Sequence, residues 1–239
     1  MKIELMRARN NHVGIYMIFA CILCGVLGFF LLVSLDGYAI KEVTRGVLQY
    51  SIYTVYTQFG FFIFPVLAIY LVTLDYKEKN IVFYRLMGLN GCTYFLYKAI
   101  TLLIYVTVGN VLTSVIVSII CKDFSNVILF FMKLENVSIF IIIVSLMYAY
   151  LFKNMMSAYC VNFALWVASI VLYSVGDFFK YLCFYDASLE RHASFQEILE
   201  RGVFMHGSVM DEMVYNIVIF ITVLIVVFIS KKRWIKNGV

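Results

Sequence analysis

The chain has 239 residues, of which 64% are hydrophobic, 18% aromatic and 14% charged, with one proline and a formal net charge of +5. Soluble domains carry about 45–50% apolar and about 25% charged residues, so the composition excludes a soluble globule. At about 20 apolar residues per spanning helix, the length holds about six such helices with short connections and leaves no room for a separate catalytic domain.

Met1 to Asn11 is basic and amphipathic, with Lys2, Arg7 and Arg9. The first apolar run, Gly14 to Leu35, exceeds the core of about 7–15 residues of a secretory signal and has no convincing small-x-small cleavage site after it, so a retained helix is expected. Cys21 and Cys24 inside it mimic a redox C-x-x-C, but in an apolar helix they read as two small packing residues. A second run covers Ile52 to Leu74, with Tyr50, Tyr53, Tyr56 and Gln58 gathered toward its outer end.

The connection from Asp75 to Lys98 carries the most information. Ile81, Val82, Tyr84, Leu86 and Met87 make one face of a short helix, with Lys79, Asn80 and Arg85 outside and Gly88 and Gly91 ending it. Two readings stay open for it: an interfacial helix that anchors a loop, or a helix held at the ends of two spans to receive force from a soluble partner.

A third run covers Ala99 to Ile120, with Thr107, Asn110 and Ser114 on one face, and a fourth covers Val137 to Phe152. After a tight turn at Lys153 and Asn154, a fifth run covers Met155 to Gly176. Its residues Asn162, Trp166, Ser169, Tyr173 and Gly176 recur at steps of four and three and so share one helical face. Residues 177–212 are too polar to cross a bilayer, yet Leu189, Phe195, Ile198, Leu199, Val203 and Phe204 among acids suggest a short helix capped near Ser188 or Ser194 at the outer surface, or a solvated loop. The last run covers Met213 to Ser230.

None of the six runs contains Asp, Glu, Lys or Arg, each of which adds about 2.5–3.5 kcal/mol at a helix centre. Sorting the flanking charges by side puts twelve basic and three acidic residues with the termini, against seven basic and eleven acidic residues on the other side. The positive-inside rule therefore places both termini in the cytoplasm, and the net excess reads as a topological instruction with no sign of nucleic-acid binding.

The acidic residue after the second span, the short amphipathic helix, the break and the lysine opening the third span resemble the permease subunits of ATP-binding-cassette exporters of the type 2 superfamily. The basic start, six spans, tight turn and long external segment extend the resemblance over most of the chain. It implies an all-α integral membrane protein of six transmembrane helices, with an N-terminal amphipathic helix, a cytoplasmic coupling helix between spans two and three, and short external helices between spans five and six. Asp75 or Glu78 stands for the acidic residue, Ile81 to Met87 for the coupling helix, and Lys98 for the lysine. One departure is Gly88, where many members carry proline.

The resemblance also implies that spans two and five line a path, involving Tyr53, Tyr56, Gln58, Asn162, Trp166, Ser169 and Tyr173. The plainer reading of these residues is helix–helix hydrogen bonding or an interfacial aromatic belt. An aromatic, weakly polar lining suits an amphipathic cargo better than an ion.

No G-x-x-x-x-G-K-[ST], H-E-x-x-H or G-x-S-x-G occurs, and no run carries paired carboxylates, so an enzyme is not expected. His192 and His206 lie near acids, but metal binding is not expected. Of the six cysteines, Cys92 and Cys160 included, Cys121 and Cys183 alone are placed to meet an oxidising exterior and to pair there. With neither ionisable groups in the runs nor a nucleotide motif, coupling through a partner is the economical expectation. The chain is then one permease domain of 1–239 in the cell membrane, paired with itself or a similar permease and with an ATPase subunit that binds ATP and Mg, the chain itself binding no cofactor. Its size and compact external segment resemble permeases that export antimicrobial peptides such as lantibiotics, which implies a cargo of that class exported for self-immunity. The alternative is a stand-alone membrane immunity or sensor protein that binds a peptide without ATP coupling.

Overall fold

The computed structural model describes residues 2–34, 45–175, 184–185 and 206–237. Among the described residues there are ten helices and no strands: α1 (Lys2–Asn10), α2 (Val13–Ser34), α3 (Arg45–Gln58), α4 (Gly60–Lys77), α5 (Asn80–Leu86), α6 (Gly91–Ile120), α7 (Val127–Leu151), α8 (Met155–Val175), α9 (His206–Ile229) and α10 (Lys231–Asn237). Six of these, α2, α4, α6, α7, α8 and α9, are long and apolar enough to cross a membrane. The chain is an all-α integral membrane protein.

Small residues set the closest helix approaches. A Cβ at Gly109 of α6 would stand 2.8 Å from Cβ and Sγ of Cys21 and 3.2 Å from Cα of Ile18, both on α2. A Cβ at Gly28 of α2 would stand 2.7 Å from Cα of Ile52 on α3, where the Ser51 hydroxyl also donates to the Gly28 carbonyl at 2.8 Å. Cys21 and Cys24 are free and buried, serving this packing as the small residues they resemble.

The second predicted run begins earlier than Ile52 and is broken. α3 and α4 meet at Phe59, about one and a half turns before Pro65, whose missing N–H and ring disturb the turn that precedes it. Between α4 and α5 the chain reverses through Lys79, a left-handed residue at φ 57°. α5 then stops abruptly. Gly88 adopts φ 78°, its N–H bonds to Arg85 O at 2.9 Å, and the Leu89 N–H bonds to Tyr84 O at 3.0 Å, the paired C-terminal bonds that glycine favours at a helix end. Two residues after Gly88, the Asn90 side chain accepts from the Thr93 N–H at 2.8 Å and caps α6.

Two helices start earlier than the charge-free runs suggest. α7 begins at Val127, so Lys133 and Glu135 lie inside it, and α9 begins at His206, which takes in Asp211 and Glu212. Lys98 likewise sits inside α6, which opens at Gly91. Asn154 accepts from the Met156 N–H at 3.0 Å and starts α8 after the tight turn. Most of 177–212, with Cys183 of the expected Cys121–Cys183 pair and His192, lies outside the described residues, as does the side chain of His206.

The seams at Gly28 and Gly109 have no spare volume. Overpacking a tight core costs about 1–3 kcal/mol, so Gly28→Ala and Gly109→Ala should each lower the midpoint of thermal unfolding of the purified chain in detergent. A midpoint equal to that of the parent for both would show that α2 has room to move away from α3 and α6.

Candidate coupling site

Four elements converge at the end of the bundle where α4 finishes and α6 begins. Lys98 on α6 is fully buried, and its Nζ lies 2.6 Å from Glu4 Oε2 on α1 and 2.7 Å from Asp75 Oδ2 on α4. Arg7, one turn along α1 from Glu4, pairs with Asp75 and reaches Glu78 at 2.9 Å. Two tyrosines close the cluster. Tyr94 donates to Asp75 Oδ2 at 2.8 Å, and Tyr84 of α5 meets Glu4 and accepts from Arg7 Nη1 at 2.8 Å. The Lys98 ammonium also sits 5.6 Å and 5.4 Å from the ring centroids of Tyr84 and Tyr94, within cation–π range.

The charges balance, since Glu4 and Asp75 face Lys98 and Arg7, and this is the condition on which charges tolerate burial. Burial works against the Arg7 charge, but Asp75 and Tyr84 beside it outweigh burial, and its proton is held more firmly than in ordinary arginine. Burial first, and then Asp75 and Glu4, push the Tyr84 phenol upward. It is therefore a neutral donor.

The structure brings Asp75, Glu78, Tyr84 and Lys98 together and splits the other predicted coupling residues. Ile81 and Tyr84 are buried. Val82, Arg85, Leu86 and Met87 are exposed, together with Phe83, so the single predicted apolar face is two faces. One is held in the bundle. The other is open, with Leu86 82% and Phe83 55% accessible. Sequence reading missed Phe83 and the partners Glu4, Arg7 and Tyr94; a charge pair spaced one helical turn apart on α1 was the available signal.

The predicted path residues separate in a similar way. Asn162, Trp166 and Ser169 line a cavity of about 390 Å³ together with Phe61, Phe140 and Tyr215. Trp166 packs against Phe61 and Phe62 at 6.1 Å and 4.8 Å, and Trp166 Nε1 and Asn162 Nδ2 have no hydrogen-bond partner among the described residues. Tyr53, Tyr56 and Gln58 do not line this cavity. Tyr56 is fully buried and donates to Asn110 Oδ1 at 2.9 Å. Tyr53 is buried on α3, and the side chain of Tyr173 lies outside the described residues.

Ionisable groups do lie within the helices long and apolar enough to span, contrary to the charge-free runs. Lys133 on α7 bonds Glu212 on α9 at 2.6 Å, and Asn136 and Asn216 extend that contact at 3.3 Å and 3.0 Å. Glu135 accepts from Asn110 Nδ2 at 2.9 Å and lies 2.6 Å from the Thr107 hydroxyl. At the end of the bundle opposite the Lys98 cluster, Arg45 pairs with Asp123 at 2.5 Å. Hydrogen bonds from the Ser125 hydroxyl and N–H, more than Arg45, hold the Asp123 carboxyl below its ordinary range.

The family model described as "Peptide export permease protein YydJ family" matches residues 1–239. A curated relative, the probable peptide export permease protein YydJ of Bacillus subtilis (strain 168), is 30% identical over 246 residues and is aligned over 100% of both chains. No solved structure matches the chain.

Removing one partner of a buried ion pair costs about 3–5 kcal/mol. Lys98→Met should destabilise the chain by about that amount in denaturant or thermal unfolding. The double variant Lys98→Met, Glu4→Gln should recover part of the loss, because Asp75 keeps Arg7 while Glu4 no longer carries an unpaired charge. Equal stability of Lys98→Met and the parent would show that the cluster is solvated.

Proposed function

Because the chain belongs to the peptide export permease protein YydJ family, we propose that it is the membrane-spanning subunit of an ATP-driven exporter of the ATP-binding-cassette class. In this reading it moves an amphipathic peptide, with antimicrobial peptides exported for self-immunity as the cargo class. ATP and Mg belong to a separate ATPase subunit, and the permease pairs with a second copy or a similar permease in the plasma membrane, both termini in the cytoplasm. The low burial of α8 and α9, 11% and 22% of their apolar windows against 61% for α4, supports a second permease or lipid along those helices.

One observation carries the coupling role. α5 is fixed to the bundle through Ile81 and Tyr84, and through Tyr84 to the ion-pair cluster, while Val82, Phe83, Leu86 and Met87 stand open beside Arg85. Large exposed apolar side chains at the mouth of a bundle mark a docking surface. A rigid body seated there and displaced by ATP binding pushes α4, α6 and α1 together, because Asp75, Glu78, Lys98 and Arg7 bind those elements to α5. That is the differential contact through which a partner biases a two-state bundle. The cavity beside Trp166, with two unpartnered donors among aromatic rings, has the chemistry to hold an apolar side chain and a peptide carbonyl.

The permease should be co-purified in detergent with an ATPase encoded in a neighbouring reading frame. Phe83→Asp with Leu86→Asp should weaken the ATPase by about tenfold or more and abolish its stimulation, with thermal unfolding of the permease unchanged because both side chains are exposed. An ATPase that still binds and is still stimulated removes α5 from the coupling role.

A further inference from the structure

Three of the acids inside the bundle meet a cation: Glu4 and Asp75 meet Lys98, and Glu212 meets Lys133. Glu135 does not. It lies eight residues into α7, about 12 Å below the outer helix end, and two residues after Lys133, on the opposite side of the helix. It faces α6, and among the described residues no cation pairs with it.

Its surroundings can be named element by element. α6 brings Thr107 and Asn110, α3 brings Tyr56, and α2 brings Cys21 within electrostatic reach. On α7 itself, Ser138 lies one turn on, 3.2 Å from Asn110 Nδ2. Lys133 and Glu212 of α9 occupy the other face. On α4, Asp75 bonds Lys98 and Tyr76 bonds Tyr150 O, both about 18–22 Å along the helices from the Asn110–Glu135 contact.

The hydrogens in this network can be counted. The Thr107 hydroxyl has one hydrogen and two acceptors in range, Leu103 O at 2.8 Å and Glu135 Oε1 at 2.6 Å. With a proton on Oε1, Glu135 donates to Thr107 and Thr107 donates to Leu103. Beyond it, Tyr56 donates to Asn110 Oδ1, Asn110 donates to Glu135 Oε2 and to Ser138, and Ser138 donates to Leu134 O at 2.8 Å. Every hydrogen then has an acceptor. Glu135 is partly buried, and without that proton a full negative charge rests on two neutral donors between the two helices, an arrangement that burial disfavours.

We propose that Glu135 is a proton-binding site of the membrane domain, protonated while α6 and α7 are packed against each other and releasing its proton to water more readily when they part. Acid then favours the packed form and rising pH the parted one, because the parted form solvates the carboxylate better than the partly buried site does.

Infrared spectroscopy of the full chain in lipid nanodiscs tests this directly. The wild type should show a carboxylic-acid C=O stretch at neutral pH that disappears in alkali, that is missing from Glu135→Gln and that persists in Glu212→Gln. Absence of the band at neutral pH, or its survival in Glu135→Gln, overturns the proposal. Glutamine keeps the donor and acceptor pattern of the protonated acid, so Glu135→Gln should unfold at the wild-type temperature at neutral pH. A variant that fails to accumulate or unfolds much earlier shows that the ionised form was required, and this also overturns it.

Discussion

Lys98 can stay buried only because two carboxylates come to it, and one end of the bundle is arranged around that condition. An ammonium group in a low-dielectric interior must be paired or lose its charge. Glu4 and Asp75 arrive from α1 and α4, Arg7 restores neutrality, and Tyr84 and Tyr94 take up the remaining lone pairs. As a result, α1 is tied to α5 and α6 by charge, while its apolar Ile3 and Met6 stay exposed. The aromatic layer next to the cluster, Tyr84 against Tyr94 at 5.2 Å and Tyr94 against Trp234 of α10 at 5.4 Å, seals it from solvent.

Packing is uneven across the bundle, and the unevenness separates support from surface. α4 and α7 form the centre, with 61% and 56% of their apolar windows buried, whereas α8 has 11%. The glycine and cysteine seam lets α2 lie close to α6 and α3, where no side chain can enter. The 390 Å³ cavity opens between the tight centre and the loosely covered α8 and α9.

The sequence made the helices legible because apolar runs of about 20 residues have few alternatives. Asn162, Trp166 and Ser169 were legible as one face because helical periodicity survives in the fold. The start of α7 was missed for a physical reason: hydropathy charges each ionisable group as though it were alone, yet Lys133 is paired with Glu212 across 79 positions. The same holds for Glu4 and Lys98, which are 94 positions apart; the resemblance pointed to Asp75 and Lys98, but no local pattern names α1 as their partner. On α5 both sides are apolar, so the pattern could not say that Ile81 faces inward and Phe83 outward.

The length of α6 gives the cluster at its foot a mechanical advantage. At 1.5 Å per residue, its 30 residues form a rod of about 45 Å, with Lys98 near one end and Asn110 well up its length. A tilt of about 5° at the foot moves Asn110, about 28 Å along the rod, by about 2.5 Å, enough to break the hydrogen bonds that it makes with Tyr56 and Glu135. A rod clamped by charges below and latched by neutral hydrogen bonds above acts as a lever: small strokes at the base suffice to unfasten its upper half, while the base itself stays intact.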